Sequence, residues 1–305
     1  MIGILNIDKP AGITSFQLVA LVKRLSGERR VGHAGTLDPI ATGVLPICLG
    51  QATRVIEFLA ETTKTYRAEI TLGIATNTYD TSGQIIQRGD PSTINRNRLE
   101  SELTSFYGLI WQTPPMYSAV KYQGKPLYKL ARAGITVERQ SRLAHVYSLK
   151  LITWQSPVAI IEVVCGKGTY IRSIAHDLGQ ALGCGATLQN LTRLRYGPFD
   201  IRDALSLSQL EDAFRYDYWP DLIHPPDSVL THWAAVIIGN DAREDMRMGR
   251  SLVLDDKDEI PATEHLLAGS VSGKRCRAYT LDGHFIGVLR FNPVSRRWQP
   301  EKVLL

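Results

Sequence analysis

The run from Gly32 to Pro46, Gly-His-Ala-Gly-Thr-Leu-Asp-Pro-Ile-Ala-Thr-Gly-Val-Leu-Pro, restricts the backbone more than any other stretch of this chain. It reads as a loop crowded with small residues around one acid, Asp38. Gly35 has no Cβ, so the backbone there can pass close to another group. Pro39 fixes its own φ and pushes Asp38 towards an extended conformation. A carboxylate held stiffly where a bulky partner can approach has two readings. It is a catalytic group, or it is a helix N-cap followed by Pro at the first helical position. Taken alone, the loop leaves both open, and the cap is the commoner use.

The 305 residues suffice for about two domains of ~150 residues each, with a sizeable core. Cys48, Cys165, Cys184 and Cys276 lie far apart with no C-x-x-C spacing. That argues for buried or incidental thiols and against a zinc site or a disulfide framework. The glycines form neither G-x-x-x-x-G-K-[ST] nor G-x-G-x-x-G, so the expectation is no metal and no nucleotide cofactor. Met1 to Gly12 lacks a basic start and carries Asp8 early, unlike a secretory signal. No apolar run approaches the ~20 residues that span a bilayer. The expectation is a cytoplasmic protein without a membrane partner.

A formal charge of +5 is mild for a chain this long. Its distribution says more. Between Tyr117 and Arg142 stand Lys121, Lys125, Lys129, Arg132, Arg139 and Arg142 against the lone acid Glu138, with Tyr117, Tyr122 and Tyr128 interleaved. Such a segment either neutralises phosphates and stacks on bases or is a solvated face with surface tyrosines.

Thr14-x-x-Gln17 predicts a capping box opening a helix, with an apolar stripe of Phe16, Val19, Leu21, Val22 and Leu25 ending near Gly27. Tyr66 to Leu72 alternates as a strand with one buried face, and Asn77 to Gly83 reads as a loop. Leu99 to Phe106 is a short helix candidate. Residues 113–140, rich in Pro and without a clean period, read as a projecting insertion with a short helix near Lys129. Val158 to Val164 is a strand. Thr169 reads as an N-cap ahead of the stripe Ile171, Ile174, Ala175, Leu178 and Leu182. Arg172 then falls in the first helical turn, where a cation opposes the helix dipole. That points to an anionic partner, or simply to a surface ion pair with Asp177. Tyr216 to Ser228 reads as a linker, Arg243 to Gly249 as a short helix ended by Gly, and Asp282-Gly283 as a hairpin turn in a β-rich tail.

The order His-x-Gly-Thr-Leu-Asp-Pro-x-Ala-Thr-Gly resembles the catalytic motif of the pseudouridine synthases, in the TruB-type branch that modifies uridine 55 of bacterial tRNA. Asn6-Ile7-Asp8-Lys9-Pro10-Ala11-Gly12, Lys64-Thr65-Tyr66-Arg67, Gly168-Thr169-Tyr170-Ile171-Arg172 and the basic stretch from Pro114 to Gly134 agree in order along the chain. The resemblance covers residues 1–200 strongly and the tail weakly. It implies an α+β fold with a mixed β-sheet and flanking helices. The expected units are a catalytic domain over 1–222, with the basic insertion at about 113–140, and a small C-terminal PUA-like β-rich domain over 229–305.

The resemblance also assigns roles. Asp38 is the one indispensable catalytic carboxylate, and Arg172 is its two-pronged partner. Tyr66 stacks on the target base, although a strand tyrosine is more usually core. Tyr170 is a pocket wall or a structural pivot, and Leu191 closes the apolar side. His33 helps hold the flipped nucleotide, and Lys9 and Pro10 support the active-site loop. Lys121, Lys125, Lys129 and Arg132 contact the T-arm of tRNA. The segments Met116 to Lys121 and Gly124 to Tyr128 are similar to the stand-alone branch, so a monomer without guide RNA or obligate protein partner is expected. The alternatives are a guide-RNA-dependent catalytic subunit and an RNA-folding protein without essential catalysis.

Overall fold

The computed structural model describes residues 1–254, 259–260 and 274–304. Strand β1 (Gly3–Lys9) leads to helix α1 (Ser15–Ser26), then β2 (Val31–His33) and β3 (Thr42–Leu49). A 3₁₀ segment runs into α2 (Ile56–Glu61), which β4 (Lys64–Leu72) follows. A small hairpin of β5 (Ile74–Thr76) and β6 (Ile85–Arg88), helix α3 (Arg96–Leu103) and β7 (Gly108–Gln112) come next. The insertion holds β8 (Lys121–Tyr122), β9 (Lys125–Pro126) and α4 (Leu127–Arg132). Beyond it stand β10 (Arg142–Gln155), β11 (Val158–Cys165), α5 (Ile171–Ala181), β12 (Ala186–Tyr196), β13 (Phe199–Asp200) and α6 (Leu207–Arg215). The tail holds β14 (Ala234–Ile237), α7 (Asn240–Arg247), β15 (Glu259–Ile260), β16 (Arg275–Tyr279), β17 (Phe285–Asn292) and β18 (Arg297–Val303).

The large sheet has the order β1-β3-β12-β4-β11-β10-β7, with β2 beside β3 and β13 beside β12. It is mixed: β12 runs parallel to β3 at Thr192 and Arg193, and its other pairings are antiparallel. Strand β4 alternates as its sequence predicts, with Tyr66, Ala68, Ile70 and Leu72 buried and Arg67 exposed. Strands β1 and β3 are apolar on both faces, because each is covered twice. Leu5 and Ile47 face the core shared with α1, α3, α5 and α6. Ile4 and Cys48 face a second core with Phe58 and Leu59 of α2. All four cysteines are buried free thiols.

Helix α1 opens with the predicted capping box and ends at Gly27, whose φ is 67°. Its buried face, however, is Ser15, Leu18, Val19 and Val22, and Phe16 is 76% exposed. Ser15 sets this phase, because its hydroxyl bonds both the carbonyl and the amide of Leu37. Thr169 does not cap α5. Tyr170 holds that position, and its backbone N–H and C=O pair with the Gln112 side chain. Thr169 Oγ1 donates instead to the Gly166 carbonyl.

The stretch read as a linker is packed. It forms two 3₁₀ turns, and His224 exchanges two backbone hydrogen bonds with Ile4 along the outer edge of β1. The tail forms a five-stranded sheet of order β15-β14-β16-β17-β18, turning at Asp282 and Gly283 between β16 and β17. Residues 255–258, 261–273 and 305 of the expected C-terminal unit lie outside the described residues. Val288 and Leu304 join the α2 core, and Lys302 pairs with Glu57 at 2.5 Å, so the tail sheet packs directly on the large domain.

Candidate active site

Pro39 starts no helix, which removes the capping reading of Asp38. Asp38 sits instead at a turn closed by the Ala41 N–H on the Asp38 carbonyl at 3.0 Å. The loop is pinned to the start of α1 by the Ser15–Leu37 bonds and by the Gly12 N–H on the Pro39 carbonyl at 2.8 Å. Gly35, with φ +68°, passes so near Tyr196 that a Cβ would sit 3.0 Å from its ring. At Gly43 a Cβ would lie 2.3 Å from the Arg193 carbonyl, so only glycine allows β3 to approach β12 there.

Arg172 holds the Asp38 carboxylate by both oxygens, Nε to Oδ2 at 2.9 Å and Nη2 to Oδ1 at 3.2 Å. This is the two-pronged geometry that arginine provides and lysine does not. The guanidinium is almost fully buried. It also donates to the Tyr117 carbonyl at 2.9 Å and the Thr78 carbonyl at 3.3 Å, and lies 3.7 Å from Asp80 Oδ2. A cation in a first helical turn costs about 0.3–1 kcal/mol against the dipole, which two carboxylates readily offset. Burial pushes the Asp38 carboxyl above its ordinary value, opposed mainly by Arg172. Asp80 raises it further and Lys9 lowers it.

These groups open onto a cleft of about 560 Å³, whose walls include Asp38, Tyr66, Tyr170, Arg172 and Leu191. Five of the predicted site residues therefore meet, and Arg132 makes a sixth. Tyr128 and Arg132 of α4 also reach this cleft. Lys121 lines a second cavity of about 490 Å³ within the insertion, together with Tyr122, Arg139 and Arg142. Lys125 and Lys129 are exposed and line neither. Nor is the insertion only a projection. Ser118 and Leu127 are buried, and the Ser173 hydroxyl of α5 donates to the Thr113 carbonyl at 3.2 Å.

Lys9 and His33 do not line the cleft. Lys9 is buried beneath it, donating to the carbonyls of Pro10 and Ile13 at 2.8 Å each. Burial lowers its pKa to about 8. Its charge still acts on Asp38. His33 ends β2 and is half-buried, and burial holds its pKa below the ordinary value.

Three charged residues of the cleft were given no role from sequence. Asp80, 4% exposed, accepts from the Thr78 hydroxyl at 2.7 Å and from the Ser82 amide at 3.0 Å and hydroxyl at 2.5 Å. Arg193 is 1% exposed and donates to the carbonyls of Val44 and Gly35 at 2.7 and 3.0 Å. It reaches the Tyr66 hydroxyl at 3.5 Å. Lys64 lines the cleft beside Tyr66, with its pKa lowered to about 8 by burial and then by Arg193. Among the described residues, no group of three His, Cys, Asp or Glu side chains is placed to hold a metal ion. No described helix is long and apolar enough to cross a membrane.

With this mixed sheet and cleft in view, similarity to known proteins places the chain in the pseudouridine synthase class. A solved chain of a Cbf5-Nop10-Gar1 complex superposes with a TM-score of 0.76 at 28% identity, over 99% of this chain and 85% of that one. The family model described as TruB family pseudouridylate synthase (N terminal domain) matches residues 23–171. That of the tRNA pseudouridylate synthase B C-terminal domain matches residues 172–231. A tRNA pseudouridine synthase B of Dehalococcoides mccartyi is 41% identical over 307 aligned positions, covering 100% of this chain and 97% of that protein. One of Geobacter sulfurreducens is 40% identical over 277 positions, covering 91% and 90%. The chain belongs to the TruB family of pseudouridylate synthases.

Proposed function

We propose that this chain isomerises uridine 55 of tRNA to pseudouridine, with Asp38 as the reacting carboxylate. The observation that carries the reading is the Asp38–Arg172 pair on the cleft wall beside Tyr66, in a chain of this family. The reaction exchanges the C1′–N1 bond for a C1′–C5 bond. The C5 proton leaves and N1 gains one, so atoms and electrons balance without an outside oxidant or reductant. Asp38 starts it as a nucleophile or base, which requires the anion.

The target base must leave its stack to reach this carboxylate, at a cost of a few kcal/mol. Stacking on Tyr66 and contacts of Lys121, Lys125, Lys129 and Arg132 with the T-arm backbone offset it. Tyr170 and Leu191 form the walls against the base. Residues 1–222 act as the catalytic unit and 229–305 as an accessory RNA-binding unit. The chain works as a cytoplasmic monomer, without guide RNA.

The test is one purified chain incubated with unmodified tRNA, followed by mapping of the product. Pseudouridine at position 55 alone supports the reading. Product only after addition of partner proteins and a guide RNA would favour the guided type of subunit. Binding without product would leave an RNA-folding role.

A further inference from the structure

Tyr79 holds a left-handed backbone, with φ at +66°. Bulky residues rarely adopt it and keep it only where the surroundings over-determine it. Its two chain neighbours both meet Arg172: the Thr78 carbonyl accepts from Nη1 at 3.3 Å, and Asp80 Oδ2 lies 3.7 Å from the same nitrogen. The Tyr79 ring turns the other way and stacks on His176, with centroids 3.8 Å apart and planes inclined by 13°. His176 follows Arg172 by four residues on α5, so the two side chains rise from one face of that helix. The loop from Asn77 to Gly83 therefore meets α5 at two points about 5.4 Å apart along the helix. Neither ring lines the cleft. Burial and the nearby Arg139 guanidinium hold the His176 pKa below its ordinary value, which keeps the imidazole neutral for stacking.

We propose that Tyr79 and His176 are positioning residues, whose stack fixes the loop that holds Arg172 in its two-pronged grip on Asp38. The proposal rests on the reading of Asp38 as the reacting carboxylate. The loop is tied to β12, where Leu188 donates to the Tyr79 carbonyl and accepts from the Thr81 N–H at 3.1 Å, but on the α5 side contact at Arg172 alone leaves it a single point of attachment. The stack supplies the second attachment, one turn further along α5. Two backbone bonds, Tyr79 N–H to the Thr76 carbonyl at 3.2 Å and Leu188 N–H to the Tyr79 carbonyl at 3.0 Å, fix the turn but not the direction of its ring.

The deciding variant is Tyr79→Gly, which adopts the same φ without strain yet removes the ring. Single-turnover isomerisation at saturating tRNA should fall about 10- to 100-fold, the scale of an ångström of misplacement. The tRNA dissociation constant should change less than about twofold, since the phosphate contacts are elsewhere. Tyr79→Phe keeps the ring and should restore the rate.

The acid limb of the pH–rate profile adds a readout that simple loosening would leave alone. Asp38 faces Arg172, Asp80 and Lys9. A displaced Arg172 leaves burial and Asp80 to dominate, so the limb of Tyr79→Gly should move to higher pH. In an Asp80→Asn background Tyr79→Gly should add less than about twofold, because both act through Arg172. If Tyr79→Gly does not fold, His176→Leu removes the stack from the helix side and must give the same loss and the same shift. A folded variant that isomerises like the wild type overturns the proposal, as does an additive loss with an unmoved acid limb. Wild-type chain that makes no pseudouridine, or Asp38→Asn that makes it normally, overturns the functional reading instead.

Discussion

The loops at Asp38 and Asp80 both present a carboxylate to Arg172, but Asp38 leaves 35% of its side chain accessible and Asp80 only 6%. The Asp80 carboxylate is occupied on its own side by the Thr78 and Ser82 hydroxyls and the Ser82 amide. Asp38 receives its hydrogen bonds from Arg172 and otherwise faces the cleft. One guanidinium thus joins a carboxylate open to the cleft with one closed off from it, and on the proposed function the first reacts while the second holds. The lesson is that exposure and prior hydrogen bonding divide the labour between two identical side chains.

The largest expected effect is at the open end of this pair. Asp38→Asn keeps shape and hydrogen bonding but removes the anion, so isomerisation should fall by about 10⁴-fold or more while tRNA still binds. Single-turnover yield and a filter-binding assay read the two separately. Next comes the shared guanidinium. Arg172→Lys keeps the charge and loses the fork, and should slow turnover roughly 10²- to 10³-fold with binding much less affected. A wild-type rate in Arg172→Lys would show that the pairing does not matter.

Asp80→Asn is milder and more informative. It leaves Arg172 to Asp38 and should slow the reaction up to about 10²-fold. It also moves the acid limb. On the proposed function Asp38 reacts as the anion, so activity should be lost as pH falls through its raised pKa. Asp80 is one of the charges raising that pKa, and removing it should carry the limb to lower pH. A limb that stays or rises would break the proposed division between the two aspartates.

The smallest effect on chemistry belongs to the insertion. Neutralising Lys121, Lys125, Lys129 and Arg132 together should weaken binding. Each lost phosphate contact should reduce the slope of log K against log salt by roughly 0.7 to 0.9. Arg132 also lines the cleft that holds Asp38, so the single Arg132→Ala should reduce the rate at saturating tRNA more than Lys125→Ala does. Equal effects of these two would return Arg132 to the outer grip.

Sequence reading reached the Asp38–Arg172 side of the cleft and missed Asp80 and Arg193 for physical reasons. The Asp38 loop is written in glycine and proline, which constrain the backbone whatever surrounds them. Arg172 showed itself by breaking the dipole rule at the head of an apolar helical stripe. Asp80 stands among Thr, Ser and Gly, where an aspartate is ordinary turn chemistry, and only the approach of α5 makes it a buried charge. Arg193 stands two residues before Arg195 on β12, yet a register shift between them leaves Arg193 buried and Arg195 exposed. That shift and the parallel pairing with β3, whose Val44 carbonyl holds the guanidinium with that of Gly35, are long-range features that local pattern does not encode. Phe16 was misplaced because the phase of α1 is set by Ser15 meeting Leu37, a contact between residues 22 positions apart.

The most direct test of the division of labour is site-mapped pseudouridine formation in single turnover, comparing Asp38→Asn with Asp80→Asn on the same tRNA. The expected result is no product at position 55 from Asp38→Asn, and slow but complete conversion from Asp80→Asn. Product from Asp38→Asn at the rate of Asp80→Asn, or a reversed order, would contradict it.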